Sequence, residues 1–291
     1  MARGSLEATR TQAVDGSFIT RDGLALSTLR YRAPSRSLPP VILIHGLADH
    51  SRSLPYVTLG EFLADRGFEV FAFDRRGSGL SAGLPNYVAK WEDLREDLAR
   101  FVDIVEDQCG RLPALIGLSF GGLQALDFAH ASPQSLHSCV AMAPALDDSG
   151  SSSFLRKLLP YLAQWFPRIS VDPGLDVKAL VRDPFLCRAY RTDPLWRPGI
   201  TPALAFETTR TIDRIHRHAS EIKTPILFLH GTADRIVPIH GSRKVFPRLG
   251  SDDKTFLEFP GAFHALPIEP EGEAVARHIA DWLTLRARPQ I

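Results

Sequence analysis

Five short apolar runs constrain this chain more than anything else in it: VILIH (41–45), EVFAF (69–73), ALIGL (114–118), CVAMA (139–143) and ILFLH (226–230). Continuous runs of this length suit strands of a parallel sheet covered on both faces. TFLEF (255–259) is partly of the same kind, and LALSTLRY (24–31) alternates as a half-buried antiparallel strand does. Helical periodicity fills the intervals. In WEDLREDLARFVDIVEDQ (91–108), Leu94, Leu98, Phe101, Val102 and Val105 fall at i, i+4, i+7, i+8 and i+11, with acids and Arg opposite. The same period recurs around 123–131 and 274–285. Strand–helix–strand alternation predicts an α/β fold with a doubly wound, mostly parallel sheet and right-handed crossovers.

One interval breaks this rhythm. About eighty residues separate Ala143 from Ile226, with many prolines and clusters such as FLRKLLPYLAQWF (154–166). A structureless loop of that length does not suit a compact domain. The expected organisation is a core of residues 1–147 and 221–291 carrying a helical cap at 148–220, with SGSSS (149–153) as the hinge. The cap stripe of Phe154, Leu155, Leu158, Leu159, Leu162 and Phe166 has two readings: docking on the core, or admitting an acyl chain.

The stretch IGLSFGG (116–122) carries the chemistry. Gly117-x-Ser119-x-Gly121 follows an apolar run and precedes a helical pattern, the context of a nucleophile elbow. Gly117 and Gly121 keep the turn free of side chains, Gly122 allows close helix–strand approach, and the Phe120 amide at the helix start is a candidate oxyanion donor. A serine needs a base and the base an orienting acid. Asp234, in the loop after ILFLH, and His264, in the loop after TFLEF, meet the order expected on this topology. Asp147 and Asp148, after CVAMA, remain alternative acids. A second oxyanion amide is expected from Leu47, where Gly46 lets ILIHGLADHS (42–51) turn. Asp74 in FDRRGSGLS (73–81) is expected to tie its loop by local hydrogen bonds.

The other histidines carry less. His45 and His230 end strands at HG pairs and are read as shaping turns. His216 and His218 are read as facing solvent, and His278 as a surface or packed residue of the last helix. His50, His130, His137 and His240 fit no pattern. No His, Asp or Glu group has metal-ligand spacing, so neither a metal nor a cofactor is expected.

A net charge of +1 excludes bulk attraction to nucleic acid. Residues 150–220 hold eleven Lys/Arg against six Asp/Glu, read as a solvated face. Three scattered cysteines argue against a disulfide framework. The N-terminal stretch lacks a signal-peptide core, and no apolar run nears the ~20 residues of a membrane span. The expected location is therefore the cytoplasm.

HGLADHS (45–51), FDRRGSGLS (73–81), GLSFGG (117–122), HGTADRIVP (230–238) and GAFHAL (261–266) together resemble an α/β-hydrolase, and more narrowly its monoacylglycerol lipase and lysophospholipase branch. LLPYLAQWFP (158–167) and RDPFLCRAYRTDPL (182–195) resemble that branch's cap. The resemblance runs over roughly 20–285. It implies Ser119 as nucleophile, His264 as base and then acid, Asp234 as orienter, and Leu47 and Phe120 as oxyanion amides. It also implies a small-molecule ester substrate whose acyl chain enters an apolar face of the cap; the cap's apolar stripe adds an expectation of transient membrane or micelle contact. Leu118 and Phe120 depart from the His and Met common in the branch, altering the elbow's lining. Short-chain carboxylesterase, thioesterase, perhydrolase, peptidase and a non-catalytic ligand-binding protein stay open as alternatives.

Overall fold

The structure, a computed structural model, describes residues 13–33, 38–147, 153–172 and 174–287. Its strands are β1 (Ala13–Ile19), β2 (Ala25–Tyr31), β3 (Val41–Ile44), β4 (Val70–Phe73), β5 (Ala114–Leu118), β6 (Ser138–Met142), β7 (Ile226–Gly231) and β8 (Lys254–Phe259). They form one sheet in the order β1-β2-β4-β3-β5-β6-β7-β8. β1 and β2 pair antiparallel, β2 pairs antiparallel with β4, and the remaining pairings are parallel. The five apolar runs lie in β3 to β7, every residue of which is buried. The doubly wound sheet is as expected, with one strand more than the sequence showed. β1 lies at the edge and buries only Phe18, so its sequence carries no alternation to detect.

The helices are α1 (Leu54–Asp65), α2 (Trp91–Cys109), α3 (Phe120–Ala131), α4 (Ser153–Trp165), α5 (Pro184–Thr192), α6 (Pro202–His218), α7 (His240–Val245) and α8 (Gly272–Ala287). Two apolar layers sandwich the sheet. Leu59 and Leu63 of α1 join Val275 and Ile279 of α8 on one face. Leu98 and Val102 of α2, Leu123 of α3 and Ile212 and Ile215 of α6 pack on the other. Residues 153–218 are mostly helical, but their helices differ in burial. α6 packs into the α2–α3 layer, whereas Phe154, Leu155, Leu158 and Phe166 in and just after α4 are exposed. That stripe is therefore not buried against the core. The expected hinge at 149–153 falls almost wholly outside the described residues. Among the described residues no helix is long and apolar enough to cross a membrane.

One buried carboxylate ties three of these helices together. Asp127 of α3 accepts hydrogen bonds from Trp91 Nε1 (2.8 Å) and Arg95 Nε (2.9 Å) of α2 and from Arg214 Nη2 (2.6 Å) of α6. Removing it strands two guanidinium groups and an indole N–H at the edge of the core. Asp127→Ala is expected to cost about 3 kcal/mol, read as a lower urea-unfolding midpoint; an unchanged midpoint refutes this role.

Candidate active site

Ser119 sits between β5 and α3 with φ +59° and ψ −119°. Such a backbone costs on the order of 1–3 kcal/mol and persists only where its surroundings hold it. They do so here. Its N–H donates to Met142 O (2.9 Å), and its carbonyl accepts from Ala145 N (3.0 Å) and Leu123 N (3.1 Å). Beneath it, main chains meet with no room for side chains. A Cβ on Gly117 would lie 2.2 Å from Gly121 O, and one on Gly121 would lie 2.1 Å from Ile44 O. Gly122 faces Pro144 more loosely, at 3.0 Å.

The loop after β3 is held by groups that sequence patterns did not reveal. Arg75, buried, donates through Nη1 to His45 O (2.7 Å) and through Nη2 to Gly46 O (2.8 Å). Its guanidinium lies 4.4 Å from the centroid of the Phe120 ring. The Tyr56 hydroxyl accepts the Gly46 N–H at 2.7 Å. His45 Nε2 accepts from Arg75 N (3.0 Å) while Nδ1 donates to Gly46 O (2.9 Å). Burial holds this imidazole's pKa well below the ordinary value, so it stays neutral, as that pattern requires. His45 thus shapes the turn, as read from sequence. Asp74 ties its own loop through Leu80 N (2.9 Å) and reaches further, accepting from Ser51 N (2.7 Å). Among the described residues neither the Leu47 nor the Phe120 amide has an acceptor.

Asp234 and His264 meet across the ends of β7 and β8. His264 Nδ1 donates to Asp234 Oδ2 at 2.7 Å, with both side chains buried. Asp234 Oδ1 accepts from Ile236 N and Val237 N, each 2.9 Å. Burial alone would raise the Asp234 pKa. The His264 charge and hydrogen bonds from His230, His264 and Val237 outweigh it and hold the carboxyl well below its usual range. His230 does more than end a strand. It is buried, its Nε2 lies 2.9 Å from Val237 O and 3.3 Å from Asp234 Oδ2, and its Nδ1 lies 2.9 Å from Ser242 Oγ. His216 is also not simply solvent-facing: it is half-buried, with Nε2 2.8 Å from Leu146 O. Asp147 pairs with His240 rather than His264, and Asp148 lies outside the described residues.

Ser119, His264, Gly46, Leu47 and Phe120 line one cavity of about 170 Å³, with Asp234 behind the imidazole. Leu175, Leu180, Tyr190, Trp196 and Ile200 form its far wall. The loop bearing His264 is tied to that wall. Ala265 N donates to Leu180 O (2.9 Å), and the buried Glu269 accepts from Phe263 N (2.9 Å) and Arg182 Nε (2.6 Å). Asp49 also lines the cavity. Burial pushes its carboxyl up to about 6, with hydrogen bonds and the neighbouring His50 pulling partly back.

Over residues 37–271 the chain matches the sequence family described as serine aminopeptidase, S33. It is 30% identical over 246 residues to a monoacylglycerol lipase of Mycolicibacterium smegmatis, covering 84% of this chain and 87% of that protein. It is 29% identical over 264 residues to the monoglyceride lipase of Homo sapiens, covering 88% and 86%. The crystal structure of Paleococcus ferrophilus monoacylglycerol lipase superposes with a TM-score of 0.81 at 36% identity, covering 90% of this chain and 99% of that one. A soluble variant of monoglyceride lipase from Saccharomyces cerevisiae, in complex with a substrate analog, shares the fold with a TM-score of 0.84 at 22% identity, covering 97% and 98%.

The raised Asp49 pKa has a definite sign. A buried carboxyl whose folded pKa exceeds its unfolded one stabilises the fold at low pH, and that contribution is lost as pH rises from about 4 to about 6. Ionised above pH 6, it costs up to about 3 kcal/mol. Asp49→Asn is expected to gain melting temperature over the wild type as pH climbs through this window. A gap that stays flat between pH 4 and 7 refutes it.

Proposed function

Because the chain belongs to the serine aminopeptidase S33 family, within the monoacylglycerol lipase-like branch of the α/β-hydrolases, we propose that it hydrolyses monoacylglycerols through an acyl-enzyme on Ser119. One observation carries this reading. The His264–Asp234 hydrogen bond of 2.7 Å leaves His264 Nε2 as the basic nitrogen in the apolar cavity that Ser119 shares. His264 takes the Ser119 proton as Oγ attacks the ester carbonyl. The developing oxyanion is held by the Leu47 and Phe120 amides. His264 then protonates the departing alcohol, and water, activated by the same imidazole, releases the fatty acid and restores Ser119. Asp234 orients the ring and stabilises the imidazolium. Residues 148–220 serve as a cap whose Leu175, Leu180 and Ile200 receive the acyl chain, while exposed Phe154, Tyr161 and Trp165 favour contact with a lipid surface.

Aminopeptidase activity is the second reading. Asp49 favours it, being the one carboxylate that lines the cavity among the described residues. It is already engaged by His50 N at 3.0 Å, which leaves it a poor anchor for a free amine.

A hydrolysis profile over monoacylglycerols, short p-nitrophenyl esters, acyl thioesters and aminoacyl arylamides discriminates these readings. Monooleoylglycerol is expected to give the highest kcat/KM, and preference for arylamides or acetate esters overturns the assignment. Ser119→Ala is expected to lower kcat on the best ester by about 10⁴-fold or more with an unchanged circular dichroism spectrum; retained turnover refutes the acyl-enzyme. Arg75→Met frees the carbonyls of His45 and Gly46 and lets the Leu47 amide drift. It is expected to lower kcat about 10–100-fold with little change in KM. A rise in KM at constant kcat contradicts an oxyanion-positioning role.

A further inference from the structure

A group of ligating side chains lies at the far end of α3 from Ser119. His130 stands in the last turn of α3, eleven residues or roughly 16 Å along the helix from Ser119. His218 is the last residue of α6, and Glu221 ends the 3₁₀ turn Ala219–Glu221 that follows. His130 Nε2 is 2.9 Å from Glu221 Oε2, and His218 Nδ1 is 2.8 Å from Glu221 Oε1. The two imidazole centroids are 5.5 Å apart. One nitrogen from each ring and one carboxylate oxygen all lie within 4.8 Å of one another. None of the three side chains is fully covered: they are 21%, 39% and 59% exposed.

Sequence spacing could not find this group, because His130 and Glu221 are 91 positions apart. We propose that His130, His218 and Glu221 bind a zinc-class divalent metal ion that staples the end of α3 to the end of α6, its fourth position filled by water. Two imidazoles, a carboxylate and an open position make a donor set suited to Zn²⁺, with Co²⁺ and Ni²⁺ as competitors. In a tetrahedral site with bonds of about 2.0–2.1 Å, donor atoms stand about 3.3 Å apart. The two imidazoles now meet different oxygens of Glu221, at 2.9 and 2.8 Å, and with all three donors within 4.8 Å of one another side-chain rotation closes them on one ion. The carbonyl ends of two helices converge there and favour a cation. On binding, each imidazole coordinates through the nitrogen that now faces Glu221 and carries its N–H on the other ring nitrogen.

The staple joins the helix that starts at Ser119 to the segment returning from the cap, and it stands independently of the ester chemistry. The test uses full-length, tag-free protein treated with EDTA and dialysed. Zn²⁺ titration by calorimetry is expected to give one site per chain, and the melting temperature should rise with the logarithm of free Zn²⁺. Co²⁺ should give a visible absorption band of low-coordinate type. His130→Ala and the conservative Glu221→Gln should each weaken Zn²⁺ about tenfold or more, whereas His278→Ala, an exposed histidine outside the group, should not. Absence of stoichiometric binding, or equal affinity in wild type and both ligand variants, overturns the proposal.

Discussion

Backbone-to-backbone contact beneath Ser119 is the constraint on which the rest depends. Gly121 lies against the carbonyl of Ile44, and Gly117 against the carbonyl of Gly121. The ends of β3 and β5 and the start of α3 therefore form one unit with no side chains between them. Only such contact lets the chain leave a buried strand, pass through a left-handed serine and enter a helix within two residues. The strain at Ser119 is held by bonds to Met142, Ala145 and Leu123, so β6 and its following loop share the load. A side chain at either glycine would separate these backbones and release the serine to an ordinary conformation.

Buried polar groups then set the loops around this unit. Arg75 gives up water to clamp two carbonyls, and burial lowers its pKa to about 10. The cost of hiding a guanidinium is offset by Asp49, Asp74 and Tyr56 close by. On the other side, Asp234 is fixed by two backbone amides before it meets His264. His230 braces the same turn from below. Both loops are therefore positioned by groups that need not touch a ligand, as preorganised sites require.

The sheet and the central residues were legible in the sequence because each obeys a local rule. Buried strands read as unbroken apolar runs, and Ser119 and Asp234 each follow one of them, while His264 follows the partly apolar β8. The G-x-S-x-G spacing reports a steric need that the glycine contacts satisfy. What escaped is what depends on long-range partners. Arg75 bonds to backbone atoms 29 and 30 positions away, and Arg182 to a glutamate 87 positions away; neither leaves a periodic trace. His230 looked like a turn residue because the serine it meets is twelve positions on. β1 escaped for a different reason: an edge strand with one buried residue has no face to advertise.

The cavity combines a rigid polar floor with an apolar roof, and this division narrows what it can accept. The buried carbonyls of His45 and Gly46 are already occupied by Arg75, and the Asp234 carboxylate by His264 and two amides. Among the described residues, the Leu47 and Phe120 amides have no acceptor, and they lie beside Ser119 and His264 in the cavity lining. A guest must place its single strongly polar group there and its hydrocarbon against Leu175, Leu180 and Ile200. An ester at the end of an alkyl chain meets both conditions, and its alcohol portion needs only a path to water. α4 stands outside this wall: none of its described residues lines the cavity or is buried, and its main packing partner is α6.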